Sequence, residues 1–435
     1  MLIRSKKNYY ENRMCLLTVA LPFKMYKITN EKTGVTIMQL GWIDFSATER
    51  SKVLGILDLL SEKATLDELG ISPIRDGFSN RFFPGTSTIQ TRAKYFFIVP
   101  YAMKSLEKTA VTSSVFKKDL DEREKSCGYR FLENDPNEDG VIGKRSLNKG
   151  KWVKRPPSDI YWAGLRTYGI FSAGKMSKDE CINAVCNQLS VKNNVRFLGN
   201  SNDNSEENET DDKHPEELSY SSFWNIPTFK PDWFSTLKME LTKDEAHFLK
   251  FQIIKSCPDS IMGYILSHNM KSFAELESFE DIGALISQFP EDMQNEYYLA
   301  GDFSRFIYVA RVLFNLIIDP ENEIAIAEYD RLYPQLKELS EVDLEAIYQL
   351  LKIKEIGLIG FLNDLKKLMI EGNTDKMKSL IKKRESWLKG DSRAKTMHPE
   401  ELEPGWYGGG LLDYRFTAAK QIIADIFSGE EEGNA

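Results

Sequence analysis

A chain of 435 residues with 42% hydrophobic and 11% aromatic content holds enough apolar material for two or more packed domains. Its formal charge of −8 excludes a uniformly basic nucleic-acid binder, because such a protein covers its contact face with cations. Five scattered cysteines, Cys15, Cys127, Cys181, Cys186 and Cys257, are odd in number and read as reduced thiols of a cytoplasmic protein rather than a disulfide frame.

The apolar run "MCLLTVALPF" (14–23) follows Arg4, Lys6, Lys7 and Arg13, but it is too short to span a bilayer and leads into Lys24 rather than a small-residue cleavage site. No membrane role is expected. Thr33-Gly34-Val35 can be encoded by codons that spell a bacterial ribosome-binding sequence just ahead of Met38. Residues 1–37 are therefore expected to be a non-native or poorly ordered extension, although "KMYKITNEKTGVTIM" has hairpin character.

Residues 38–198 read as a helical, basic domain with irregular loops. Ser46 with Glu49, and Thr65 with Glu68, have capping-box spacing; Val53, Leu57 and Leu60 share the face that follows the first, and Gly70 stops the helix that follows the second. Ser72-Pro73 opens a third helix carrying Ile74, Phe78 and Phe82 on one side. In "RFFPGTSTIQTRAKYFF" (81–97), Thr86 is expected to cap a helix starting near Ser87. Free backbone N–H groups, Ser87, Arg92 and Lys94 would then gather at one helix end as an anion site, unless Thr86 satisfies those donors itself. Loop composition spans Asp135 to Lys151; Ser158 is the expected cap of the next helix, ended by Gly169, and Ser177 with Glu180 opens another through Cys186. Gly169 and Gly174-Lys175 copy part of a phosphate loop, but Met176 stands where Ser or Thr must hold magnesium.

Charge is concentrated in two places. Between Val141 and Lys175, Lys144, Arg145, Lys149, Lys151, Lys154, Arg155, Arg166 and Lys175 face Asp159 alone, with Trp152, Tyr161, Trp162 and Tyr168 interleaved. Cations beside aromatic faces are what nucleic-acid grooves use; a solvated basic loop beside core aromatics has the same composition. Between Asp203 and Glu217, eight acids oppose Lys213, so residues 199–222 read as a disordered acidic linker.

Residues 223–435 read as all-helical, with helices over Lys243 to Lys255, Asp302 to Ile318, Glu341 to Ile353, Thr374 to Leu388 and Phe416 to Phe427. The four histidines stand apart and no metal or cofactor motif is evident. "PGWYGGGLLDYRF" sets Trp406, Tyr407 and Arg415 around a glycine-rich loop, read simply as a mobile loop packing one tryptophan.

"GWIDFS" (41–46), "FPGTSTIQTRAKYFFIVPY" (83–101), "RPPSDIYWAGLRTYGI" (155–170) and "DYRF" (413–416) together resemble a bacterial family known only as a domain of unknown function. The resemblance runs from about Met38 to the C-terminus; it implies a start near that methionine and an association with mobile-element or phage-defence genes, but no activity, cofactor or catalytic residue. The expectation is thus a mainly α, cytoplasmic accessory protein without catalysis. It would bind DNA or RNA, or a nucleic-acid-processing partner, through Thr86, Ser87, Arg92, Lys94, Lys151, Lys154, Arg155 and Trp162. The alternatives are an enzyme acting on a phosphate-containing ligand at the Thr86–Arg92 turn, and a scaffold that binds protein through the C-terminal helices.

Overall fold

The computed structural model describes residues 26–29, 36–39, 67–107, 112–199, 223–227, 230, 232–403 and 405–431. The Ser46 and Thr65 caps, the "GWIDFS" motif and the acidic run 203–217 lie outside the described residues. The protein is mainly α and forms two compact units, Met1–Leu66 and Asp67–Ala435. In the first, β1 (Tyr26–Thr29) pairs antiparallel with β2 (Thr36–Gln39), Tyr26 opposite Gln39. This is the hairpin that the alternation suggests.

The second unit begins with α1 (Ser72–Phe82), entered through Pro73, which cannot use a backbone donor and so fits the first turn. The Asp67 carboxylate accepts from Leu69 N and Ser72 N and satisfies the entry. Next comes α2 (Tyr95–Leu106), in which Tyr95 through Met103 are all buried. A helix apolar all round must be covered on every side, and α2 is packed by α3 (Ser113–Asn134) and α5 (Pro157–Thr167), the short α4 (Lys144–Leu147) lying between them in the chain. α6 (Lys178–Gly199) opens with the expected box: Glu180 accepts from Ser177 N at 2.9 Å, and Ser177 Oγ accepts from Glu180 N at 3.2 Å.

After residue 222 the chain rejoins the same core. An isolated bridge pairs Phe171 with Trp224, and Trp224 meets both Trp162 and Phe171 edge to face, while Trp162 and Phe171 lie tilted with centroids 4.7 Å apart. α7 (Lys243–Ser256), capped by a full Thr242/Glu245 box, brings Phe248 to 6.1 Å from Phe97 of α2. α8 (Ile261–Ser267) follows, then α9 (Glu291–Ile318), buried along most of its second half. α10 (Glu323–Leu332), α11 (Leu336–Leu339), α12 (Leu344–Leu351), α13 (Ile356–Ile370) and α14 (Thr374–Lys389) build the layer around α9. α15 (Phe416–Glu431) returns to pack on α7 and also reaches α8. The composition changes at residues 199–222, but side-chain packing runs from α2 and α5 into α7 and α15 without a break.

Several expected helix starts differ: the helix expected from Asp302 begins at Glu291, and the one expected from Glu341 begins at Leu344. The helix expected from Ser87 begins at Tyr95, and Ser158 sits inside α5, where the carboxylate of Glu124 from α3 accepts from Ser158 N at 2.7 Å and does the capping.

Candidate functional site

The turn after α1 is held by its own side chains. Thr86, 5% exposed, donates its hydroxyl to Phe83 O at 2.6 Å, so it closes the Pro84-Gly85 turn instead of capping a helix. Gln90, also buried, accepts from Ser87 N at 3.2 Å and donates to Gly85 O and Ile160 O. The Tyr161 hydroxyl accepts from Thr91 N and Arg92 N and donates to Arg92 O at 2.8 Å, its full hydrogen-bonding capacity. These contacts take up the Ser87, Thr91 and Arg92 N–H groups. Ser87 Oγ is buried without a partner.

Glycines explain the motif spacing. Gly85 has φ of +79°, and a Cβ there would lie 2.7 Å from the Tyr168 ring, while a Cβ on Gly164 would lie 2.4 Å from Gly85 O. The "FPG" turn and the "YWAG" stretch of α5 are therefore one packing contact. Tyr168 completes it by donating to Pro84 O at 2.9 Å.

Arg92 and Lys94 point inward. Arg92 Nε donates to both Asp425 oxygens at 3.0 Å and Nη1 donates to Glu138 Oε1 at 2.8 Å. Asp425 also accepts from Ala93 N at 2.7 Å and from Gln421. Burial raises the Asp425 carboxyl above its ordinary range, and Arg92 and the Ala93 N–H act against that rise. Lys94, 6% exposed, donates to Glu245 Oε2 at 2.7 Å and to Glu240 O. Both cations tie the start of α2 to α7 and α15.

Trp162 is 7% exposed and donates to Met176 O at 3.1 Å, so its rings serve the core. Tyr161 and Tyr168 are fully buried, and Trp152 is half-buried with its Nε1 unpartnered. The expected aromatic faces beside the basic loop are thus largely withdrawn into the protein.

The cations of that loop are not. Arg145, Lys149, Lys151 and Lys154 are exposed and Arg155 is half-buried, and none of their side chains meets a carboxylate among the described residues. Lys144 donates to Glu138 O and Arg166 to Lys175 O, both backbone acceptors that leave the charge unneutralised. Asp159, the one acid of the segment, is paired with Lys178. Lys154 also borders a cleft of about 180 Å³ with Lys117, Asp121, Asp159, Lys178 and Asp179. There Lys117 pairs with Asp179 and Lys178 with Asp159, so Lys154 is the lysine without an acid of its own.

Candidate nucleophiles are buried. Ser158 Oγ lies 3.1 Å from Glu124 Oε2 and 3.2 Å from Lys178 Nζ, but Ser158 is 0% exposed. Cys127, Cys181, Cys186 and Cys257 are buried thiols, and burial pushes Cys181 up to about 12 and Cys257 to about 11, opposite to what a reactive thiolate requires. Against the expectation of isolated histidines, His398, Glu400 and Glu401 place ligand atoms within 4.8 Å of one another, at a largely exposed surface.

Asp425, Glu245, Gln90 and Tyr161 hold the cluster together and escape sequence reasoning. Asp425 is 333 positions from Arg92, and only the Thr242/Glu245 spacing leaves a local trace. No curated protein and no solved structure matches the chain. Residues 37–189, which span the α1–α2 turn, the basic loop and α5, match the model of a family described as a family of unknown function, DUF6361.

Proposed function

We propose that this protein is a non-enzymatic accessory factor that binds nucleic acid through the phosphate backbone, using the loop from Arg145 to Arg155. The observation that carries the reading is the set of five cations, Arg145, Lys149, Lys151, Lys154 and Arg155, which lack an acidic partner among the described residues. Unneutralised surface cations release counterions on meeting phosphates, and that release supplies most sequence-independent affinity. Burial of Trp162, Tyr161 and Tyr168 removes the stacking faces that single-strand binders use. The preferred ligand is therefore a duplex. Arg92, Lys94, Thr86 and Ser87 act in this reading as supports of α2, which carries the core beneath the loop. The enzyme reading at Thr86–Arg92 finds less support, because Gln90, Tyr161, Asp425 and Glu138 already occupy its donors. A role in cytoplasmic defence or mobile-element biology belongs to the same proposal and rests on the family resemblance alone.

The test is a titration of duplex DNA, duplex RNA and single strands at several salt concentrations, for wild type and for Lys151→Gln/Lys154→Gln/Arg155→Gln. The triple variant should weaken duplex binding and make the log K against log salt slope shallower by about 3. A flat salt response in the wild type, or unchanged binding by the variant, rejects the reading.

A further inference from the structure

The helical hairpin of α13 and α14 is not used by the nucleic-acid reading. Between its helices lies a cleft of about 320 Å³, with Leu368 and Leu380 among its walls and Asp364, Lys367, Glu371, Lys376 and Lys383 as its charged lining. One turn beyond Lys383, Trp387 is 66% exposed, and Ile356 at the start of α13 is 86% exposed. Trp387 is held in place from within. The Arg384 guanidinium lies 5.1 Å from its ring centroid and is itself fixed by donating to Leu69 O at 2.9 Å. A Cβ on Gly357 would lie 3.3 Å from the indole, so the ring rests against α13 beside Ile356. An exposed tryptophan that is already ordered loses little side-chain entropy on meeting a partner, which is the character of an interface anchor.

Gly360 lies one turn along α13 from Gly357 and one turn before Asp364, on the face that forms the cleft. It is exposed, its φ is not positive, and a Cβ there would meet nothing within 4 Å. Glycine inside a helix costs stability relative to alanine, and here it keeps the α13 backbone bare where a partner can approach. Charge decides which partner. Lys354, Lys367, Lys376 and Lys383 are exposed and none meets a carboxylate among the described residues, while Glu355 lies 3.7 Å from Arg384. A helix laid along the cleft would set apolar side chains on Trp387 and Ile356 and acids against these lysines, the helix-in-groove mode. A phosphate backbone fits less well, because Asp364 and Glu371 line the same cleft and repel it, and because Trp387 and Ile356 gain only from an apolar face.

We propose that the α13–α14 hairpin docks an acidic amphipathic helix of a partner protein, with Trp387 as the apolar anchor. The surface is independent of the loop 145–155. The probe is a fluorescein-labelled helical peptide with Leu on one face and Glu on the flanks, titrated by anisotropy against the full chain, beside the same peptide with Lys in place of Glu. Saturable binding of the Glu peptide alone is expected, weakened about tenfold or more by Trp387→Ala. Lys376→Glu/Lys383→Glu should lose the Glu peptide and gain the Lys peptide. Gly360→Gln should raise the unfolding midpoint, because glutamine is the better helix former, and still weaken binding. The Lys151/Lys154/Arg155 variant should bind the peptide normally, and Lys376→Glu/Lys383→Glu should bind DNA normally, so the two proposals fail separately. No saturable binding of the Glu peptide, or wild-type affinity in either Trp387→Ala or Gly360→Gln, overturns the surface. So does loss of DNA binding in Lys376→Glu/Lys383→Glu, which assigns the lysines to nucleic acid, or a dimer of the wild type that Trp387→Ala abolishes, which assigns the anchor to a second copy of the chain.

Discussion

At the scale of single residues, the buried charges decide what the protein tolerates. Replacing Arg92 with Gln leaves Asp425, whose side chain is 6% exposed, without its cation. Breaking one side of such a pair costs about 3–5 kcal/mol. Urea unfolding of Arg92→Gln, Asp425→Asn and the double variant measures it, and the double change should cost less than the sum of the singles. Glu124 carries a pH dependence. Burial raises its carboxyl to about 8, acting against Lys178 and the Ser158 donors, with Asp121 adding to the rise. The folded state therefore holds a proton that the unfolded chain releases at ordinary carboxylate pH. This contribution is complete below the unfolded value and is lost as pH climbs through about 8. Unfolding curves between pH 5 and pH 9 should show stability falling across that window. Glu124→Gln, neutral and still able to serve Ser158, should flatten the fall; an unchanged slope means that the carboxyl titrates normally.

At the scale of elements, helix ends and close approaches test the packing. Thr242→Ala removes the hydroxyl that accepts from Glu245 N and unsettles the carboxylate that holds Lys94. A loss of about 0.5–2 kcal/mol is expected from the cap alone, and a larger loss by thermal melting would report the Lys94 coupling. Gly164→Ala forces a methyl against Gly85 O, where an ideal Cβ sits 2.4 Å away. Overpacking of this kind costs about 1–3 kcal/mol, read from the denaturation midpoint. Much of this layer was legible: α7, α14 and α15 follow their apolar periods, and Ser177 with Glu180 caps α6 as its spacing says. The start of α2 was not legible. Thr86 has the composition of a cap, but its hydroxyl turns back to Phe83 O, Gln90 and the Tyr161 hydroxyl take the Ser87, Thr91 and Arg92 N–H groups, and the chain runs through turns to Tyr95.

At the scale of the whole molecule, the second unit is closed by its ends. Asp425 of α15 serves Ala93 N and Arg92 from the start of α2, and Gly429 lies so near α7 that a Cβ would meet Ala246 and Leu241 at 2.9 Å. Deleting residues 416–435 should remove cooperative unfolding of the whole Asp67–Ala435 unit and open α2 to proteolysis; a truncated chain that keeps a sharp transition would show that α15 is peripheral. The sequence alone determined the helical class, several helix ends and the location of the basic loop, and it suggested the hairpin, because periodicity, caps and charge runs are local properties; α3 and α13 were not singled out. It marked Arg92, Lys94 and Trp162 by residue type, but not the direction in which they point. Tertiary structure decided that, since Asp425 and Glu245 are distant in sequence and burial depends on which faces meet. The same packing withdraws Trp162, Tyr161 and Tyr168 into the core and leaves Lys151, Lys154 and Arg155 outside it, because a desolvated aromatic ring lowers the free energy of folding and a desolvated, unpaired ammonium raises it.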